Sequence, residues 1–595
     1  MALPIVLLLG FLVLFGSLTL DPPLPGSGSV TSVLWTASLW PLPSLLAIVA
    51  LRRLRRRLCF GETSGLHPRV WLRMSVLATP AVVYLVAGPG GWLDMTWQWA
   101  AESHLASIGL MALPLVAIEL PRMLLAAVAQ VWLDGDSVPG APFRQLPGFL
   151  DLWPILRLRL AWPLLMVMPC VVLGTALDLL KLAPVWHEFF VNTSVGATLG
   201  MLGMLVLFGL LVPFWFRISF GVKSNLPEPV GSLLRKTAAA LGFSPSRVYL
   251  LPTGGRAMNA MMVGPLPIGR MLCVTDGLLG AIDEESLAGV VAHEVGHARM
   301  GHPGLLLTLT GVVPVLLLSP ATALDPLSAD PLWQALFTLL GVVAVWSIVR
   351  ALAHRFEHEA DIASVRALGA GPCSRALLTV SGAAIPIRHS WLGRVSSLHP
   401  EERLRCMTML RYELEPEFRK QFDVTGRRLR VAILIGLLIS VVLAGITWAL
   451  DWHFERVIWR LNSGDVAGAV QLDREIGADI PARWTKTWKL VREDLAAVAA
   501  ITPSATSWEE AAPQLATEAW QRGVEVILAK GSAAARPWFA LAAEGGKRAP
   551  DRIMRRLLYE FCRAADQSNT ERMEEVRRLV RRLGVPKGLE PVFAQ

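Results

Sequence analysis

The chain has 595 residues, 53% of them hydrophobic and only 17% charged, with a formal net charge of +9 and a mean hydropathy of +0.48. An average soluble domain carries about a quarter charged residues. This balance therefore excludes an ordinary soluble protein and points to a polytopic membrane protein.

A spanning helix needs about 20 mostly apolar residues. By that standard, spans are expected at Leu3–Leu20, Val33–Leu51, Val76–Leu93, Ile108–Trp132, Leu160–Leu180, Leu199–Phe220, Leu305–Leu324, Trp333–Leu352 and Leu429–Leu450. Leu3–Leu20 reads as an uncleaved first helix rather than a signal peptide, because no Lys or Arg precedes it. Arg52, Arg53, Arg55, Arg56 and Arg57 follow the second span directly and mark that end as cytoplasmic. Counting forward, Arg217, Lys223, Arg350, Arg355, Arg427, Arg428 and Arg430 keep both halves of the stretch 223–427 inside, and the last span carries the tail outside. The positive charge is thus a topology signal. No aromatic–basic recognition motif accompanies it, so no nucleic-acid partner is expected.

Between the sixth and seventh spans lies the chemistry. Asp276-Gly277 signals a turn, Ala281 to Ser286 places acids at a helix start, and an apolar run leads into His293-Glu294-Val295-Gly296-His297. On a helix, positions i and i+4 share a face, so two imidazoles meet one ion while Glu294 lies beside it. Gly289 and Gly296 leave room for a neighbouring element to pack closely. A hydrolytic zinc site takes a third protein ligand and leaves its fourth position to water. Glu357 is the preferred third ligand, with His358 and Glu359 as competitors, because Asp361 falls one turn later on the same face and would accept the outer N–H of a zinc histidine.

His-Glu-x-x-His followed by Glu357-His-Glu-Ala-Asp361 resembles the integral-membrane zinc peptidases that include bacterial HtpX and the eukaryotic CaaX prenyl proteases. Three further pieces fit: Asn259-Ala260 ahead of the strand Met271–Thr275, with Met261 where Phe is usual; His302, five residues after His297; and Ser397-Leu-His399-Pro400-Glu-Glu-Arg403-Leu. The resemblance covers about Leu226 to Arg411. It implies one Zn2+ per chain on His293, His297 and Glu357, with Glu294 as general base, Asn259 holding substrate backbone and His399 near the scissile carbonyl. It also implies a multi-pass protein of the bacterial inner membrane with its site on the cytoplasmic side.

The expected fold is mainly α, with polytopic membrane helices, a cytoplasmic zincin-like catalytic domain of helices plus a small β-sheet, and a helical C-terminal domain. Its parts are a membrane domain at 1–222, catalytic halves at 223–304 and 354–427 split by a membrane hairpin at 305–353, a last span at 428–450, and a tail at 451–595. In the tail Glu455–Asn462, Trp508–Lys530 and Asp551–Leu583 read as amphipathic helices. The expected activity is zinc-dependent hydrolysis of membrane proteins or peptides, with Asn259 aligning the substrate as an added strand. The lipid bilayer is the surrounding partner, and a protein partner for 451–595 is a further expectation. A catalytically silent scaffold is the alternative, and intact Glu294 argues against it.

Overall fold

A computed structural model of the chain describes residues 41–60, 68–87, 103–135, 148–255, 257–318, 331–382, 399–478, 480–481, 484–545 and 552–593. The expected span Leu3–Leu20, the turn between 319 and 330, and residues 397–398 ahead of His399 lie outside them. The described chain is mainly helical with one small sheet. Among the described residues, the helices Leu152–Leu180, Ser194–Phe220 and Pro416–Asn462 contain segments long and apolar enough to cross a membrane, which makes this an integral membrane protein. Further helices at Leu42–Phe60, Pro68–Ala87 and His104–Gly135 overlap three of the expected spans.

By internal contacts the described chain falls into two compact units, one holding residues up to 145, 170–197 and 448 onward, the other 146–169 and 198–447. The second unit contains His293, Glu294, His297, Glu357 and Asp361. Its elements include α1 (Val230–Ala240), β1 (Val248–Leu251), β2 (Ala260–Val263), β3 (Met271–Thr275), α2 (Glu284–Met300), α3 (Pro331–Leu368), α4 (Ala370–Gly382), α5 (Glu402–Leu414) and, as far as residue 447, α6 (Pro416–Asn462). The sheet has the order β1-β3-β2, with β1 parallel and β2 antiparallel to the fully buried β3.

Both faces of the sheet are covered, which explains why β3 is apolar throughout. Leu272 and Val274 pack with Leu234 of α1 and Leu287, Val291 and Val295 of α2. Met271 and Cys273 pack on the other side with Ala161, Phe216 and Phe220, from the ends of two membrane helices.

Local rules set the ends of α2. The Asp283 carboxylate accepts from the Ser286 amide at 2.9 Å, Glu284 and Glu285 occupy the first turn, and Gly301 at φ 73° ends the helix in the left-handed region. Gly296 brings α2 against α3, since a Cβ there would lie 2.9 Å from Ala363 Cβ and 3.1 Å from the Ala360 carbonyl. Gly289 gives α4 the same access, 3.2 Å from Ala376 Cβ.

Two helices continue past the ends of expected spans. The segment carrying Glu357 continues the expected span Trp333–Leu352 as one 38-residue helix, α3. Glu455–Asn462 likewise continues the last span, within the 47 residues of α6. Neither Gly nor Pro occurs at 342–368 or 446–462, so nothing in the backbone interrupts either helix where it leaves its apolar run.

The first unit includes the tail, whose helices bury one core around Phe454, Trp484 and Trp488 and a second around Phe539, Phe561 and Phe593. Within this unit the Glu455 carboxylate accepts from the Ser194 amide at 3.1 Å, and Trp459 Nε1 donates to the Val185 carbonyl at 2.9 Å.

Candidate metal centre

Helix α2 presents His293, Glu294 and His297, while α3 presents Glu357 across the contact that Gly296 permits. His293 Nε2 and His297 Nε2 lie 3.2 Å apart, and each lies 3.6 Å from a Glu357 carboxylate oxygen. Ligand atoms about 2.0–2.1 Å from one tetrahedral ion stand roughly 3.3 Å from each other. The three side chains therefore already have the spacing that a zinc-sized ion requires, and they form a group able to hold a metal. Glu357 Oε2 is buried and accepts no hydrogen bond, although Arg405 Nη1 stands 3.2 Å away. An oxygen in that state is suited to a cation.

Each imidazole is oriented through its outer nitrogen. His293 Nδ1 meets Asp361 Oδ1 at 2.9 Å, the brace expected from the one-turn spacing of Glu357 and Asp361. Arg405 grips the same carboxylate with Nε at 2.8 Å and Nη2 at 2.6 Å. His297 Nδ1 meets His302 Nδ1 at 2.9 Å, and His302 Nε2 meets Glu359 Oε2 at 3.2 Å. His302 is 1% exposed and stacks on Phe356, with ring centroids 4.4 Å apart. With His297 Nε2 facing the ion, its Nδ1–H donates to His302 Nδ1, and His302 Nε2–H then donates to Glu359. That single tautomer pattern satisfies the whole chain.

Electrostatics divides the two histidines. Burial opposes charge on His293, but the hydrogen bond to Asp361 and the nearby Glu357 carboxylate prevail and push its pKa up to about 10. Burial, with His293 beside it, pushes His297 down to about 3, which keeps it neutral. Glu357 is held far below the usual carboxylate range: burial opposes its charge, but His293 stands beside it, His399 Nδ1 reaches it and Arg405 lies close. A position that attracts positive charge through two carboxylates while keeping one imidazole neutral matches the needs of a bound divalent cation.

Glu294 points to the same space. Its Oε2 accepts from the Met262 amide of β2 at 2.9 Å, and burial raises its pKa to about 7. A carboxyl poised near neutrality suits proton transfer at physiological pH. His399 Nδ1 reaches Glu357 Oε1 at 3.0 Å with its side chain 46% exposed, so it stands at the open edge of the group. Asn259 is exposed just before β2, and its backbone carbonyl accepts from the Thr275 amide at 3.0 Å. In this register Ala260 and Met262 turn their backbone groups away from β3, and among the described residues no strand pairs with β2 on that side.

Two participants escape the sequence reading. Arg403, singled out in the His399 segment, is exposed, and Arg405 two residues later reaches Glu357 and Asp361 instead. Glu359, a competitor for the third ligand position, faces His302 and is clasped by Arg355 Nε at 3.1 Å and Arg430 Nη2 at 2.7 Å. Its acid signature was legible; its direction on α3 was not.

Residues 228–413 match the model of peptidase family M48. A protease HtpX homolog from Acidiphilium cryptum is 44% identical over 64 residues, 11% of this chain and 22% of that protein. Another from Nostoc punctiforme is 26% identical over 200 residues, 28% of this chain and 67% of its own length. The matched stretch spans 22%, 35% and 48% of three such relatives. The crystal structure of S. mikatae Ste24p aligns with a TM-score of 0.39 at 14% identity, covering 65% of this chain and all of that one.

Proposed function

We propose, from a catalytic segment that belongs to the HtpX-like M48 peptidases, that this chain is a membrane-embedded zinc metalloendopeptidase. The observation that carries the reading is the set of three ligand atoms 3.2–3.6 Å apart, with the half-buried Glu294 next to His293 on the same helix. His293, His297 and Glu357 would hold a zinc ion, which would supply Lewis acidity toward water and toward negative charge on the carbonyl oxygen. Glu294, fixed by the Met262 amide, takes a proton from the attacking water and returns it to the leaving amine. His399, at the exposed edge, adds a donor toward the carbonyl oxygen. Ala260 and the Met262 carbonyl offer outward backbone groups for an extended substrate, which pairs as an added strand with Asn259 at its end, while the Met262 amide stays on Glu294.

The substrates are membrane proteins or peptides, in quality control or maturation. Supporting this, α3 and α6 run continuously from apolar stretches into the segment bearing the site, so cleavage takes place close to the bilayer. Arg350, Arg355, Arg427, Arg428 and Arg430 cluster at the ends of those stretches and favour a cytoplasmic site. The amphipathic helices of the tail 451–595 would meet a protein partner.

The test is metal content and proteolysis of an unfolded membrane-protein substrate by the detergent-purified full chain, beside Glu294→Gln. About one zinc per chain in both proteins, with cleavage reduced at least about a hundredfold in the variant, is expected. Zinc absent from the parent, or equal cleavage by both, would sink the reading.

A further inference from the structure

On the far side of Glu359 from His302, α2, α3 and α6 enclose a cavity of about 370 Å³. Its charged lining is Arg355, Arg366, Arg427 and Arg430 against Glu359 and Asp423. Both carboxylates are already engaged, Asp423 with Arg366 at 2.7 Å and Glu359 with Arg355 and Arg430. Positive charge is therefore in excess. Arg427 forms no ion pair among the described residues, and Arg430 Nε is buried with no hydrogen-bond partner. A buried guanidinium N–H without an acceptor costs free energy until an acceptor arrives.

The surroundings narrow the identity of that acceptor. Arg427 also borders an open face of α6 that continues past Val431, Ala432 and Ile435. Val431 and Ile435 are more than half exposed, and residues 431–450 carry no charged side chain. Arg427, Arg428 and Arg430 thus stand where the membrane-crossing part of α6 begins, and Arg355 stands just after the apolar run of α3. An open polar pocket rich in guanidinium groups adjoins, at the shared Arg427, an exposed apolar helix face at the depth of the acyl chains.

We propose that this junction binds an anionic phospholipid, with its phosphate among Arg427 and Arg430 and one acyl chain along Val431 to Ile435. Guanidinium groups present paired N–H donors that match phosphate oxygens, and basic pockets beside membrane helices recognise acidic headgroups in this way. The apolar extension separates this occupant from free phosphate, which would use the arginines alone. Arg430 keeps Nη2 on Glu359 while Nε takes the headgroup, so the bound lipid adjoins the arm that orients His297. The proposal stands on the cavity and its charge and does not depend on peptidase activity.

The full chain in micelles of phosphatidylcholine with a minor fraction of phosphatidylglycerol tests it, with retained lipid counted by native mass spectrometry. The parent should hold about one phosphatidylglycerol per chain. Arg427→Glu should lower its occupancy roughly tenfold, and Arg427→Gln should lower it less. Lys420→Glu, an exposed charge on α6 outside the cavity, should leave it unchanged. A parallel titration with inorganic phosphate separates the sources. Equal retention by Arg427→Glu and Lys420→Glu, or phosphate bound by the parent with no phosphatidylglycerol retained, would overturn the proposal.

Discussion

His293 and His297 lie one turn apart on the same helix, yet their outer nitrogens meet different kinds of partner. His293 faces a carboxylate directly, and Asp361 in turn is locked by two hydrogen bonds from Arg405 of α5. His297 faces a neutral imidazole, and the nearest carboxylate, Glu359, lies one ring farther out. The first arrangement ties the ligand to a buried charge network spanning α2, α3 and α5. The second passes orientation through His302 and leaves the charge at a distance. From this difference, damage to the first arm should reach both fold and metal, whereas damage to the second should reach the metal almost alone.

The largest effect should follow from Arg405→Leu. Arg405 is 8% exposed, and its loss leaves Asp361 and Glu357 buried with one cationic partner fewer. Breaking a buried pair from one side costs about 3–5 kcal/mol, so thermal unfolding of the chelator-treated full chain should shift down markedly. Removing both partners in Asp361→Leu with Arg405→Leu should recover much of that stability while metal affinity stays low. An Arg405→Leu protein that melts with the parent would show that the network on this arm does not stabilise the fold.

Close packing gives a second test of how the two arms are held apart. Gly296→Ala places a Cβ 2.9 Å from Ala363 Cβ and 3.1 Å from the Ala360 carbonyl, so α2 and α3 must separate. Overpacking of this kind costs about 1–3 kcal/mol. Because Glu357 rides on α3 and both histidines on α2, zinc affinity should fall together with the melting temperature. A variant that loses stability but binds zinc as the parent does would show that the ligands adjust independently of the helices.

How much of this could be read in the sequence depended on whether the signal was local. His293, Glu294 and His297 follow from helical spacing alone, and Glu357 with Asp361 from the same spacing on a second helix. Arg405 did not, because two arginines flank Leu404 and the neighbouring motif drew attention to Arg403. A usable signal existed: Arg405, Met409 and Tyr412 fall at i, i+4 and i+7, and these three form the buried stripe of α5. The roles of His302 and Glu359 required knowing that α3 packs on α2 with Phe356 against the His302 ring, a contact between residues more than fifty positions apart. The ends of the expected spans are not the ends of the helices. Hydropathy marks where a helix leaves the membrane, whereas helix ends are set by capping and breaker residues, and α3 and α6 have none at those points.

The second arm can be tested at two strengths. His302→Leu removes the acceptor of the His297 Nδ1–H but leaves Glu359 between Arg355 and Arg430. Zinc affinity, measured by competition with a chromogenic chelator, should fall about 10–100-fold, while the metal-free protein should melt close to the parent. Glu359→Gln is milder, because its amide oxygen still accepts from His302 Nε2–H and only the charge is lost. Arg355 and Arg430 keep partial contact with water, their side chains being 19% and 38% exposed, and tolerate the missing charge. The expected loss of zinc affinity is under about tenfold, and smaller than for His302→Leu. Should Glu359→Gln prove the more damaging of the two, the charge on Glu359 would matter more than the orientation of His302, and the contrast between a charged arm and a neutral one would no longer hold.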